Sequence, residues 1–174
     1  MTKPYPKLRP SKPTSGTPRV KPGLTENAKA TRREVYDYLH SNCPRAIMRL
    51  GIIPESLLQF VGPEDWLHIG ICLLIEQKYS GLKYYHANSE GKAGYVAQLK
   101  KKYMGVAPGF SDLEIQDLGQ TRNLYMEIKV KPNKLTSDQK RFIDHQRSRG
   151  HMAEVAYTMQ QADAILNHYT KIEP

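Results

Sequence analysis

Cysteine is almost missing from this chain. Cys43 and Cys72 are the only two; they stand far apart and form no C-x-x-C spacing. That argues against a disulfide framework and against a structural zinc site, and it suits a reducing compartment. Long apolar runs are missing too, so nothing reads as a membrane span. The N-terminus is basic, but no apolar segment follows it, as a secretory signal would require. There is no internal repeat and no glycine-rich loop of the kind that cradles nucleotide phosphates. These absences point to a soluble protein of the cytoplasm. Acidic residues are absent from residues 1–24, where six Lys or Arg are found (Lys3, Lys7, Arg9, Lys12, Arg19 and Lys21).

The 174 residues are 39% hydrophobic, enough for one packed domain with an extension. The net charge is +9, which implies an anionic partner. Without the six basic residues of the first segment, 20 basic face 17 acidic residues, a net of only +3. Residues 1–24 also hold six of the twelve prolines. Such a segment buries too little to offset its ordering entropy, so it is expected to be a disordered basic arm. It serves either as a salt-dependent phosphate tether or as a solubilising tail.

The pattern that organises the chain comes later. Asp112-Leu113-Glu114-Ile115 and Tyr125-Met126-Glu127-Ile128-Lys129-Val130 both alternate polar and apolar residues, as half-buried strands do. Asp117-Leu118-Gly119-Gln120 between them carries turn residues, so an antiparallel hairpin is expected. Its pairing would bring Asp112 beside Glu127 and Lys129. Two nearby carboxylates repel unless a cation offsets them. A hard divalent ion takes carboxylate oxygens, a main-chain carbonyl and waters. The plain alternative is a solvated strand face with an ordinary Glu–Lys pair.

The surroundings favour the first reading. Gly105-x-x-Pro108-Gly109-x-x-Asp112, then Tyr125-x-Glu127-x-Lys129, then Lys134-Leu135-Thr136-x-x-Gln139 and Gly150 resemble the VRR-NUC family of the PD-(D/E)XK nuclease superfamily, over residues 63–170. Ser111 stands where the superfamily's name implies proline. The resemblance implies a restriction-endonuclease-like α/β core with a mixed central sheet flanked by helices, in a stand-alone module of phage type. It implies Mg²⁺ (or Mn²⁺) held by Asp112, Glu127, the main-chain carbonyl of Ile128 and Glu64. Lys129 would orient or activate the water, with Gln139 assisting. For a phage-encoded protein the compartment would be the host cytoplasm.

In chain order, Thr25 caps a helix to about His40 with Val35, Tyr36, Tyr38 and Leu39 as its apolar face. Pro44 opens a short second helix closed by Gly51, and Pro54 a third. Residues 25–62 thus form a helical accessory segment ahead of the nuclease domain at 63–174. Pro63 opens a helix to Lys78 that is apolar on nearly every side, so it is expected to pack in the core and also against another surface, such as a second subunit. Glu64 in its first turn suits the helix dipole, and the resemblance gives it a metal role; Asp65 is its neighbour and rival. A strand at 82–87 leads to a polar loop and a basic helix at 93–103. Lys92, Lys100, Lys101 and Lys102 there, with Lys131, Lys134 and His86, are the expected nucleic-acid contacts. Tyr84, Tyr85 and Tyr95 are read as core rather than as stacking platforms. Thr136-x-x-Gln139 is a capping box opening a helix that Gly150 stops, and Thr158-x-x-Gln161 is a second box after a strand from Met152.

The function expected is that of a divalent-metal-dependent DNA endonuclease, structure-specific on branched DNA in the manner of a Holliday-junction resolvase, and working as a homodimer. The alternatives are a flap, single-strand or site-specific duplex nuclease, and a non-catalytic nucleic-acid-binding module.

Overall fold

The structure is a computed structural model that describes residues 25–51, 61–86 and 109–172. The arm, the helix expected after Pro54, Tyr95, and the loop and helix carrying Lys92, Lys100, Lys101 and Lys102 lie outside the described residues. Among the described residues five helices and four strands follow in the order α1 (Glu26–Asn42), α2 (Pro44–Leu50), α3 (Pro63–Lys78), β1 (Leu82–His86), β2 (Leu113–Asp117), β3 (Leu124–Ile128), α4 (Ser137–Ser148), β4 (Met152–Ala156) and α5 (Met159–Tyr169).

The strands form one mixed sheet in the order β1-β2-β3-β4. The first two pairings are antiparallel, and β3 pairs with β4 in parallel. A parallel neighbour needs a crossover, and α4 supplies it. Helices cover both faces of the sheet, with the expected helical region at the N-terminal side. On one face Leu113, Ile115, Leu124, Met126 and Ile128 pack with Val35 and Leu39 of α1, Leu67, Ile71 and Leu74 of α3, and Leu166 of α5. Each such side chain contributes about 1.5–3 kcal/mol when taken from water. On the other face Tyr125 and Ala153 meet Ile143 of α4, with Phe110 and Phe142 beside them. Consequently every residue of β3 is buried, although its alternation suggests one wet face.

Three positions depart from the sequence-based expectation. Tyr36 is 45% exposed, because the buried stripe of α1 is Ala28, Thr31, Val35 and Leu39 and the next residue turns about 100° away. Tyr85 is 57% exposed rather than core, since it alternates with the half-buried Tyr84 along the strand. Gly51 ends α2 at φ −67°, so no left-handed cap is used there, whereas Gly150 adopts φ +84° as expected. The second capping box is also altered. The Thr158 hydroxyl accepts from the Gln161 N–H, but the Gln161 side chain accepts from the N–H of Tyr157 instead.

Leu67, Ile71, Leu74 and Ile75 of α3 are buried within the chain, where the helix packs against the sheet and against α1, α2 and α5, whereas Ile69, Cys72 and Leu73 are only half-buried. Gly70 permits the closest approach; a Cβ there would stand 2.6 Å from Val35 Cγ1 and 2.8 Å from Met159 Sδ. Asp163 of α5 fastens this layer. It accepts hydrogen bonds from the Tyr38 and Tyr79 hydroxyls, each at 2.5 Å, and from Lys78 Nζ at 2.7 Å. Burial pushes the Asp163 pKa up, but these donors outweigh it and hold the carboxyl below its usual value. Among the described residues no helix is long and apolar enough to cross a membrane.

Candidate active site

The site is built at the carboxyl end of β3. In the antiparallel register Leu113 faces Met126, so the next step sets position 112 against 127. Asp112 lies in a bend just ahead of β2, and its Oδ2 accepts the Ile128 N–H at 2.7 Å. Glu127 is fully buried and Lys129 is 6% exposed. Lys129 Nζ lies 2.8 Å from Glu127 Oε1. A solvated Glu–Lys pair is therefore excluded. Burial pulls the Lys129 pKa down, but the hydrogen bond to Glu127 and the charges of Glu127, Glu64 and Asp112 outweigh it, and the ammonium is held above its usual value.

Gln139 carries both of its expected roles at once. Its Oε1 accepts the Thr136 N–H at 2.9 Å and its N–H donates to Thr136 Oγ1 at 3.2 Å, which closes the capping box. Its Nε2 donates to Glu127 Oε1. Gly109 makes this approach possible. Its φ is +81°, and a Cβ there would sit 2.5 Å from the carbonyl carbon of Asp138, so the segment leading to Asp112 lies directly on the first turn of α4.

Glu64 and Asp65 separate cleanly. Asp65 Oδ2 accepts the Gly62 N–H at 2.8 Å, so it caps α3. Glu64 turns to the site, where its Oε1 accepts from Asn133 Nδ2 at 2.9 Å and from the Val130 N–H at 3.5 Å. Glu64, Lys129, Asn133, Lys134, Thr136 and Gln139 line an open cavity of about 280 Å³. Lys131 and Lys134 are exposed beside it. His86 is exposed at the end of β1, with Nδ1 3.1 Å from the main-chain oxygen of Asp112. The Ser111 hydroxyl is fully buried and finds no hydrogen-bond partner among the described residues.

Sequence reasoning missed two participants. Asn133 passed as part of a basic loop, and only the fold brings it to Glu64. His68 stands four residues after Glu64 on the same side of α3, a spacing that was legible. Its ring meets His86 edge-on, with centroids 4.6 Å apart.

With this geometry in place, the comparisons with known proteins bear on it. The sequence model of the VRR-NUC domain matches residues 73–160, half of the chain. The chain belongs to the VRR-NUC domain family. The VRR-NUC match takes in Asp112, Glu127, Lys129 and Gln139, whereas Glu64 precedes it and is tied to the site by geometry alone. A solved structure named VRR_NUC domain protein is similar over 62% of this chain and 88% of its own, at 22% identity and a TM-score of 0.49. No curated protein matches the chain. VRR-NUC membership makes this a nuclease-type fold.

As a metal centre, the donor set fits in kind. The carboxylates of Glu127, Glu64 and Asp112 all act on the one ammonium of Lys129, with Glu127 in direct contact, and carboxylates are hard oxygen donors. Among the described residues no three of His, Cys, Asp and Glu stand together as a ready-made cage. Mg²⁺ does not demand one, since it keeps several waters and is commonly held by one or two carboxylates with substrate phosphates.

Proposed function

We propose that this protein is a divalent-metal-dependent DNA endonuclease of the PD-(D/E)XK type, acting on branched DNA. The observation that carries the proposal is the buried Glu127–Lys129 pair at the end of β3, with Asp112 at the next ladder position and Gln139 closing over it. Burying two charges is costly, and a packed apolar pair would hold a strand end as well or better. Charges kept in such a place mark a functional site.

Asp112 and Glu127 would hold Mg²⁺ or Mn²⁺ with the carbonyl of Ile128, and Glu64 would join through water. Such an ion supplies Lewis-acid polarisation of a phosphoryl oxygen and lowers the pKa of a bound water. Lys129, held protonated by its three acidic neighbours, donates toward the attacking water or the phosphoryl oxygens and offsets charge there. Gln139 keeps the Glu127 carboxylate turned to Lys129. Lys131 and Lys134 lie where the phosphodiester backbone would pass and supply sequence-independent affinity. A homodimer would give the paired nicks that a four-way junction needs, and the partly buried Ile69, Cys72 and Leu73 of α3 would be open to such an interface.

The test is a gel assay of labelled four-way junction, flap, duplex and single-stranded DNA, each with Mg²⁺ and with chelator. Metal-dependent cutting of the branched substrates, abolished by Lys129→Ala with DNA affinity kept, is the expected result. Binding without cleavage of any substrate would leave a nucleic-acid-binding module. Undiminished turnover by Lys129→Ala would remove the lysine from the chemistry.

A further inference from the structure

Asp112 sits where the sheet gives it little support. It lies in the bend ahead of β2, one step before the ladder with β3 begins. A carboxylate that must meet an ion needs its backbone fixed to a few tenths of an ångström. Two contacts among the described residues contribute to this. From β3, the Ile128 N–H fixes the carboxylate at Oδ2. From β1, the ring of His86 reaches the main-chain oxygen of the same residue at 3.1 Å. A carbonyl oxygen can only accept, so His86 Nδ1 carries the proton and donates.

His86 itself has a brace. Its ring lies edge-on to that of His68, with centroids 4.6 Å apart and planes at 61°. His68 comes from α3, one turn after Glu64, so one side of this helix meets both flanks of the site. We infer that His86, backed by His68, is a positioning residue that sets the main chain at Asp112 for ion binding. Asn133 has the matching place on the other flank, where it holds Glu64. Burial, reinforced by the charge of His86, lowers the His68 pKa to about 4, so the brace is uncharged at neutral pH.

The inference rests on the metal-dependent reading above, and the test separates the two. His86→Leu removes the donor, whereas His86→Asn places an amide N–H close to where Nδ1 lies. Mn²⁺ binding to the DNA-free protein is measured by titration calorimetry for wild type and both variants. DNA affinity without divalent ions and melting temperature are measured alongside. His86→Leu is expected to weaken Mn²⁺ binding by about 10- to 100-fold, as loss of a supporting hydrogen bond to a ligand does. His86→Asn should return to within a few-fold of wild type, and all three proteins should melt together because His86 is exposed. Wild-type Mn²⁺ affinity in His86→Leu overturns the inference. So does failure of Asn to rescue, or a loss of DNA affinity with Mn²⁺ binding intact, which would make His86 a substrate contact. A wild-type protein that binds no Mn²⁺ overturns the metal-dependent reading itself and this inference with it.

Discussion

Replacing Lys129 by methionine removes the ammonium and keeps most of the side chain's volume. The consequence for stability follows from the pair's surroundings. Nζ lies 2.8 Å from Glu127 Oε1, and the two side chains are 8% and 1% exposed. At an effective dielectric of about 20, that separation gives a gross attraction of about 6 kcal/mol. The cost of desolvating two ions is of similar size, so the pair as a whole adds little. Loss of one partner is different. Glu127 stays buried and loses its cationic partner, although the Gln139 amide still donates to it, and removing one member of a buried ion pair costs about 3–5 kcal/mol. Lys129→Met is therefore expected to lose about 3 kcal/mol, and Glu127→Gln with Lys129→Met together to recover most of it. Denaturant unfolding at neutral pH in a double-mutant cycle measures both. The pH dependence has a definite sign. Because the Lys129 pKa is raised on folding, its contribution is whole below the unfolded value of about 10.4 and is lost as pH climbs through the folded value. The gap between wild type and Lys129→Met should stay level from about pH 6 to 9 and close above about 10.5. A single-variant cost under about 1 kcal/mol, typical of exposed pairs, would refute the buried arrangement.

Three further outcomes are expected. His68 is held down to about pKa 4 by burial, then by the charge of His86, so the unfolded chain binds a proton that the native protein refuses between about pH 6.5 and 4. Stability should fall across that window by up to about 1.4 kcal/mol per pH unit, and His68→Leu should flatten the slope in urea unfolding; an unchanged slope would place the His68 ring in solvent. Gly109→Ala forces a left-handed backbone onto alanine, about 1–2 kcal/mol, and drives its Cβ into Asp138, so melting temperature and cleavage should fall together. Ser111→Ala removes a buried hydroxyl that has no partner among the described residues and should raise the denaturation midpoint by about 1 kcal/mol equivalent; a loss would show that the hydroxyl is bonded.

The strand pairing and both helix starts were legible because their signals are local. Alternation at Leu113 and Ile115, against Met126 and Ile128, sets which side chains face the larger core, and that fixes the register. Thr136 and Gln139 announce a helix start by chemistry that acts over three residues. What was not legible required knowing which layer lies over which. Glu127 and Lys129 sit on the polar side of an alternating strand, and that pattern ordinarily means water. They are buried because α4 folds back over that face with Phe142 and Ile143. Asn133 and His68 have no local mark, since each gains its role from a segment tens of residues away in sequence.

The crossover explains why the site lies where it does. A parallel β3–β4 pair obliges the chain to leave the carboxyl end of β3, cross through α4 and return to the same edge, and such ends are where open α/β sheets gather their ligand groups. Here the turn is short. Only 129–136 separate β3 from α4, so the first turn of the helix must stand over the strand it has just left. Gln139 in that turn then meets Glu127 by necessity, and Asn133 in the turn meets Glu64 from α3. Asp112 arrives from the opposite side, because the antiparallel neighbour of β3 begins where β3 ends. Among the described residues the site is thus flanked by α4, β2 and α3, and it opens to the cavity lined by Lys134. On the proposed reading, a phosphodiester backbone would reach Lys129 along that side, past 131–136, where Lys131 and Lys134 are exposed.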